Sequence, residues 1–202
     1  MDVMWTWDFA GVALFAATGA LVAARLRLDI IGFLFFAAVT GIGGGTVRDV
    51  VLDAPVFWVV DARYIVVCVV TAVVVYLTAH RLEARRQWML WLDALALAAY
   101  GVFGAYKGLM VTESPVVAVV MGVLTSTFGG ILRDVLAGTP SVLLQQDVYV
   151  SAALAGALTF VAMVSLGVVT PWAAALGFAV ALGLRGGAIA FGWRLPVRRA
   201  GR

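Results

Sequence analysis

Two short segments concentrate the residues of this chain that could do chemistry. The first reads Thr40-Gly41-Ile42-Gly43-Gly44-Gly45-Thr46-Val47-Arg48-Asp49, the second Thr125-Ser126-Thr127-Phe128-Gly129-Gly130-Ile131-Leu132-Arg133-Asp134. A glycine inside a helix costs about 1 kcal/mol relative to alanine, so the glycine runs are expected to break or kink the helices that carry them. At membrane depth such a break is tolerated where it lines protein or water, and its freed carbonyls can coordinate a cation. The competing reading is close helix packing, for which Gly41 and Gly45 have the small-xxx-small spacing. Recurrence of the motif favours a kinked pathway lined by Thr40, Gly43, Gly44, Gly45, Thr125, Phe128, Gly129 and Gly130. No tightly bound metal is expected, only transient cations at the kink carbonyls. A dinucleotide fingerprint is excluded, because Thr46 stands where its last glycine is required.

Ionisable residues near membrane depth are costly, and are usually paired or functional. Arg48-Asp49 and Arg133-Asp134 are adjacent pairs whose side chains leave a helix about 100° apart, so neither pair is expected to bond to itself. Each arginine is read as a clamp to another segment. Asp8 and Asp93 either attract cations to vestibules at opposite faces or cap the N-termini of their helices. Lys107 is read at the end of its span, as a mobile gating charge or a snorkelling anchor. Arg185 lies deep in the last apolar run and needs a partner, for which a carbonyl at a broken helix is one candidate.

The chain around these residues is 64% hydrophobic and 12% charged over 202 residues. Its mean hydropathy is +1.06. A soluble domain of this size cannot hide so much apolar surface, which excludes a soluble enzyme, a disordered regulator and a fibrous protein. A single cysteine, Cys68, excludes an intrachain disulfide, and a single histidine, His80, leaves a His/Cys metal site short of ligands. No basic stripe suited to nucleic acid is present, and the acidic, aromatic N-terminus does not read as a signal peptide.

A spanning helix needs roughly 20 apolar residues. Seven candidates run near Phe9–Ala24, Ile30–Val47, Tyr64–Ala79, Met89–Tyr106, Pro115–Leu132, Val148–Val169 and Pro171–Phe191. With the N-terminus outside, Arg25, Arg27, Arg81, Arg85, Arg86, Arg133, Arg194, Arg198, Arg199 and Arg202 fall on the cytoplasmic side. Only Arg48, Arg63 and Lys107 fall outside, so the positive-inside rule predicts N-out and C-in. Trp5, Trp7, Trp58, Trp88, Trp91, Trp172 and Trp193 lie near span ends as an aromatic belt. Gly104/Gly108 and Gly183/Gly187 read as packing contacts, and Cys68 as an inert apolar residue.

Displacing the chain by 85 positions superposes Asp8 on Asp93, Gly19 on Gly104, Thr40 on Thr125, Gly44-Gly45 on Gly129-Gly130, Arg48-Asp49 on Arg133-Asp134, Pro55 on Pro140 and Tyr64 on Tyr149, without a gap. The matches are the polar, Gly and Pro positions, which makes this an internal repeat rather than two similar greasy segments. Three spans per repeat is odd, so the second copy enters the membrane from the other side. The expected fold is an all-α integral membrane protein of seven transmembrane helices. Two inverted three-helix repeats (about residues 8–80 and 88–169) precede a seventh helix (171–193) and a basic tail (194–202), in one membrane domain.

Asp8-Phe9-Ala10-Gly11, Phe15-Ala16-Ala17-Thr18-Gly19-Ala20 and both glycine segments resemble the trimeric intracellular cation channel (TRIC) family in its prokaryotic branch, as do Pro140 and Tyr149. The resemblance extends from about Asp8 to Leu195. It implies a homotrimer in a prokaryotic plasma membrane, with a pore in each subunit shaped by kinks at Gly43–Gly45 and Gly129–Gly130. It further implies conduction of monovalent cations, potassium chiefly, sodium also being a candidate. Phe128 departs from the first repeat, which has Gly43, and stiffens or constricts the second kink. The lipid-binding, voltage-sensing motif of animal members has only Lys107 as a loose counterpart. No cofactor is implied, bound lipid being the one candidate. Related bacterial sequences are described as glycine-transporter-like, so a secondary transporter of glycine or another small amino acid is the alternative. A scaffold without a pathway fits the twin motifs poorly, and no nucleophile–base–orienter set indicates an enzyme.

Overall fold

The computed structural model describes residues 3–82, 86–141 and 147–194. Eight helices lie among them: α1 (Val3–Arg25), α2 (Ile30–Val51), α3 (Phe57–Val60), α4 (Arg63–Leu82), α5 (Arg86–Thr112), α6 (Pro115–Leu136), α7 (Val150–Ser165) and α8 (Thr170–Phe191). α1, α2, α5, α6 and α8 are long and apolar enough to cross a membrane, while α4 and α7 carry shorter apolar runs. α3 is one turn that the sequence reading did not anticipate, inside the connector to α4. Arg85, Arg198, Arg199 and Arg202 of the charge argument, and the basic tail beyond Arg194, lie outside the described residues.

Local sequence sets the ends of these helices, and does so at matching positions. Asp29 caps α2 by accepting the Gly32 amide at 2.9 Å, and Ser114 caps α6 by accepting the Val117 amide at 3.5 Å, both sites being offset by 85. α2 and α6 stop in the same way, with Ala54 N–H donating to Asp49 O and Thr139 N–H to Asp134 O. The turn needs a left-handed residue, supplied by Asp53 (φ 51°) and Gly138 (φ 64°). At the start of α4, Asp61 accepts from the Arg63 amide and side chain. That hydrogen bonding holds the Asp61 carboxyl below its ordinary value.

α1 packs against α2 and α4, and α2 against α4; α5 packs against α6 and α7, and α6 against α7. The two trios meet where α1 lies on α5 and α2 on α6, and α8 covers α5 and α7. Their interfaces are built of small residues, among them Ala16, Ala20, Ala37, Ala72, Ala105 and Ala157, all fully buried. That is the composition by which helices approach closely where lipid offers no hydrophobic drive between them. Apolar side chains point outward instead, as Val66, Val70, Val74 and Leu77 do along α4.

Several span boundaries move. α2 and α6 continue to Val51 and Leu136, so both Arg-Asp pairs are helical. α5 continues to Thr112, which places Lys107 inside the helix rather than at its end. The expected breaks do not occur: α2 is helical through Gly43–Gly45, and α6 through Gly129–Gly130. Three glycines cost about 3 kcal/mol of helix propensity. An opened turn in apolar surroundings strands several backbone groups, each at a cost of several kcal/mol, so the intact helix wins.

Candidate functional site

The glycine segments face each other. A Cβ placed on Gly44 would collide with the Thr125 carbonyl oxygen, and one on Gly129 would sit 2.5 Å from the Thr40 carbonyl oxygen. These contacts interchange under the 85-residue offset, and their order shows that α2 and α6 cross antiparallel. The same exchange holds behind the crossing. Gly19 lies against Phe36 O and Thr40 Oγ1, and Gly104 against Met121 O and Thr125 Oγ1. Glycine is required here because backbone meets backbone. The first glycine of the run, Gly43, faces only the Leu132 side chain, the last, Gly45, faces the Phe57 ring, and Phe128 is half-buried. Thr125 donates its hydroxyl to Met121 O at 2.5 Å, whereas the Thr40 hydroxyl has no partner among the described residues.

Because the crossing is antiparallel, the two Arg-Asp pairs lie at its opposite ends. In the first cluster, Asp49 Oδ1 accepts from Arg48 Nε at 2.8 Å and from Lys107 Nζ at 2.8 Å. Asp49 Oδ2 accepts from the Phe57 amide at 3.0 Å, so α3 serves to close this end. The Arg48 guanidinium lies over the rings of Phe57 (5.6 Å) and Phe103 (5.3 Å). Tyr64 donates its hydroxyl to Asp8 Oδ2 at 2.5 Å. In the second cluster, Arg133 Nε donates to Asp134 Oδ1 at 3.0 Å. Arg133 Nη1 donates to Asp93 Oδ1 at 2.7 Å and to Thr18 Oγ1 at 3.0 Å. The Tyr149 hydroxyl lies beside Gly130.

These arrangements correct four expectations. Each arginine does bond its neighbouring aspartate, its long side chain reaching a carboxylate that is buried beside it in the last helical turn. Asp8 and Asp93 are not helix caps, since α1 begins at Val3 and α5 at Arg86. Lys107 is neither free nor simply snorkelling, being paired with Asp49. Arg185 finds a carboxylate rather than a carbonyl: its Nη1 lies 2.7 Å from Asp147 Oδ1, and its guanidinium sits over the Tyr149 ring at 5.1 Å. Arg133 also reaches beyond its own helix, to Asp93 on α5 and Thr18 on α1. Sequence reasoning assigned no role to Tyr64, Tyr149, Thr18, Phe57 or Asp147. Tyr64 and Tyr149 were signalled by their match in the repeat, and Thr18 lies in the segment Phe15-Ala16-Ala17-Thr18-Gly19-Ala20 that carries the resemblance; Phe57 and Asp147 carry no sequence signal. Among the described residues no cluster of His, Cys, Asp and Glu suits a metal ion.

A family profile described as glycine transporter matches the chain twice, over residues 5–80 and 90–165, and thus at the same offset of 85. The UPF0126 inner membrane protein YadS of Escherichia coli is 38% identical over 97% of this chain and 96% of its own length. A UPF0126 membrane protein of Vibrio cholerae is 37% identical over 96% of this chain and 82% of its own. Among solved structures, the TRIC trimeric intracellular cation channel orthologue from Rhodobacter sphaeroides is 44% identical. It superposes with a TM-score of 0.92, covering 96% of this chain and all of its own. A second TRIC cation channel, 24% identical, shares the fold at a TM-score of 0.88 over the whole of both chains. Twin glycine segments, a repeat matched twice by one profile, and likeness over nearly the full length converge: the chain belongs to the trimeric intracellular cation channel family, in its prokaryotic branch.

Proposed function

We propose that this protein is a potassium-permeable monovalent cation channel with a pathway inside each subunit, along the crossing of α2 and α6. The observation that carries this reading is the likeness over 96% of the chain to the Rhodobacter sphaeroides TRIC channel. The reciprocal contacts of Gly44 with Thr125 and Gly129 with Thr40 support it, because they put the repeat interface at the centre of the molecule. On this reading α1, α2 and α4 form one inverted repeat, α5, α6 and α7 the other, and α8 is the seventh span. Thr40, Thr125, Gly43–Gly45, Gly129 and Gly130 line the narrow part, bending rather than breaking their helices, and Phe128 constricts it. Asp8 and Asp93 draw cations toward the two ends, while Lys107, Arg48 and Arg133 are held off the path by Asp49, Asp93 and Asp134. A membrane channel does no covalent chemistry, so no enzyme activity is proposed.

The protein is placed as a homotrimer in a bacterial plasma membrane, the compartment named for the Escherichia coli relative. Its N-terminus is outside and its C-terminus cytoplasmic, in keeping with the bias of Lys and Arg. Potassium ions (sodium less so) are its cargo, and lipid the only other bound species. The test is reconstitution into planar bilayers under a potassium gradient. Unitary currents reversing near the potassium potential are expected. Electrical silence together with saturable glycine uptake into liposomes overturns the channel in favour of a transporter.

A further inference from the structure

The offset of 85 relates the two charged clusters of the crossing to each other, and leaves one buried ion pair outside the relation. Arg185 Nη1 lies 2.7 Å from Asp147 Oδ1, with the Arg185 side chain 2% exposed. Arg185 sits on α8, which has no counterpart in the repeat, and Asp147 falls on Ala62. The pair is thus an addition made at one end alone. Packing does not call for it, because apolar side chains of similar size in place of a buried ion pair are often as stable. A charge carried at depth on a spanning helix is costly and generally functional.

The position of the pair ties it to the second cluster. α6 ends at Leu136 and α7 starts at Val150, so Asp147 lies on the side of the molecule where Arg133 and Asp134 lie. A backbone bridge to Arg194 pins Asp147 to the chain leaving α8. The Arg185 guanidinium covers the Tyr149 ring at 5.1 Å. The Tyr149 hydroxyl sits 2.8 Å from a Cβ placed on Gly130, and Arg133 Nη2 is 3.5 Å from the same point. One aromatic ring therefore separates Arg185 from the crossing. Tyr64, at the other end, is held differently: Phe9 stacks on it at 4.1 Å and Phe57 meets it edge-on at 4.6 Å. The counterpart of Phe9 is Ala94, which has no ring, and Arg185 supplies the stacking face for Tyr149 instead. That brings a positive charge to the end where Arg133 faces two carboxylates, Asp93 and Asp134. Unpaired, it would cancel their excess.

We propose that Asp147 sets the charge selectivity of the second mouth by neutralising Arg185, so that the arginine can support Tyr149 without opposing cations. The proposal rests on the pathway along the crossing. Burial divides the roles. Arg185 is enclosed, so its field reaches the path through protein and is weakly screened. Asp147, its side chain 30% exposed, keeps part of its hydration and remains an effective counter-charge. Arg194 is exposed, and water and salt screen it.

The test measures the potassium-to-chloride permeability ratio, from reversal potentials of the full chain in planar bilayers under a KCl gradient at low ionic strength. Asp147→Asn leaves Arg185 charged and should lower the ratio about ten-fold. Arg185→Met leaves Asp147 charged and should raise it. The double variant Asp147→Asn/Arg185→Met has the net charge of the parent and should bring the ratio most of the way back to the parent value. Asp147→Glu keeps the charge and should match the parent. A pair with a merely structural role gives another order, with the double variant at least as impaired as either single one. That order, or one ratio in all forms, overturns the inference. Should Asp147→Asn fail to fold, Arg185→Met is compared with the double variant, and a ratio no higher in Arg185→Met overturns it equally. A parent that passes no current removes the channel reading and this inference with it, whereas a conducting parent with unmoved ratios removes the inference alone.

Discussion

Alanine substitutions along Gly43-Gly44-Gly45 separate helix packing from helix bending as the reason for the glycine run. At the α2–α6 crossing the obstacle is backbone. A Cβ on Gly129 lies 2.5 Å from Thr40 O, about 0.9 Å short of the 3.4 Å at which ordinary contact begins. The Gly44 contact with Thr125 O is its two-fold equivalent and closer still. Neither carbonyl can rotate away, since both belong to continuous helices, so α2 and α6 must part. Overpacking of this kind costs about 1–3 kcal/mol, and the gain in helix propensity returns about 1 kcal/mol. Gly44→Ala and Gly129→Ala are therefore expected to destabilise by up to about 2 kcal/mol, a fall in Tm of up to about 8 °C for a chain of this length. Gly43→Ala meets only the Leu132 Cδ1 at 2.8 Å, the far end of a flexible side chain. It should be neutral or stabilising by up to about 1 kcal/mol. The double variant Gly44→Ala/Gly129→Ala should cost less than the sum of its parts, because one separation of the helices relieves both clashes. Thermal unfolding in detergent measures all four. If Gly43→Ala falls as far as Gly44→Ala, the crossing is not the constraint, and the run serves as a flexible unit instead.

Two other expectations are independent of the crossing. Gly138 turns the chain after α6 at φ 64° with nothing within 4 Å of an added Cβ, so Gly138→Ala isolates the left-handed strain and should cost about 1 kcal/mol in the same melting assay. No loss there would mean the turn relaxes freely. A reporter enzyme fused after Arg202 should be active on the cytoplasmic side in cells; periplasmic activity would refute the charge-based orientation.

What the sequence made legible was its exceptions to apolarity. The Asp, Arg, Thr, Gly and Tyr positions that match at an offset of 85 are the ones the fold assembles at the crossing and its two ends. Local rules were less secure. Propensity argued that Gly43–Gly45 interrupt α2, but propensity is a term of about 1 kcal/mol per residue, smaller than the backbone cost of opening a helix away from water. Side-chain spacing argued that Arg48 cannot reach Asp49, but the spacing rule describes short or straight side chains on a solvated helix. The partnership of Arg185 with Asp147 depends on how α7 and α8 pack, and no periodicity encodes it. α3 was hidden because Phe57-Trp58-Val59-Val60 is too short to carry a helical pattern.

The charged clusters also bear on selectivity. Every buried arginine at the two ends of the crossing is matched by carboxylates: Arg48 by Asp49, and Arg133 by Asp93 and Asp134. A lone guanidinium beside a narrow path would repel a cation by several kcal/mol at low effective dielectric, and pairing removes most of that barrier. Asp8, at the end where Lys107 occupies Asp49, has one carboxylate oxygen without a hydrogen-bond partner among the described residues. Arg48 and Lys107 thus balance Asp8 and Asp49 at the first end, whereas Arg133 alone faces Asp93 and Asp134 at the second, which holds the excess of carboxylate. On the proposed pathway, attraction for cations therefore lies at the second end and neutrality at the first, because Lys107 supplies the first cluster with a second cation where the offset of 85 puts Val22 beside the other.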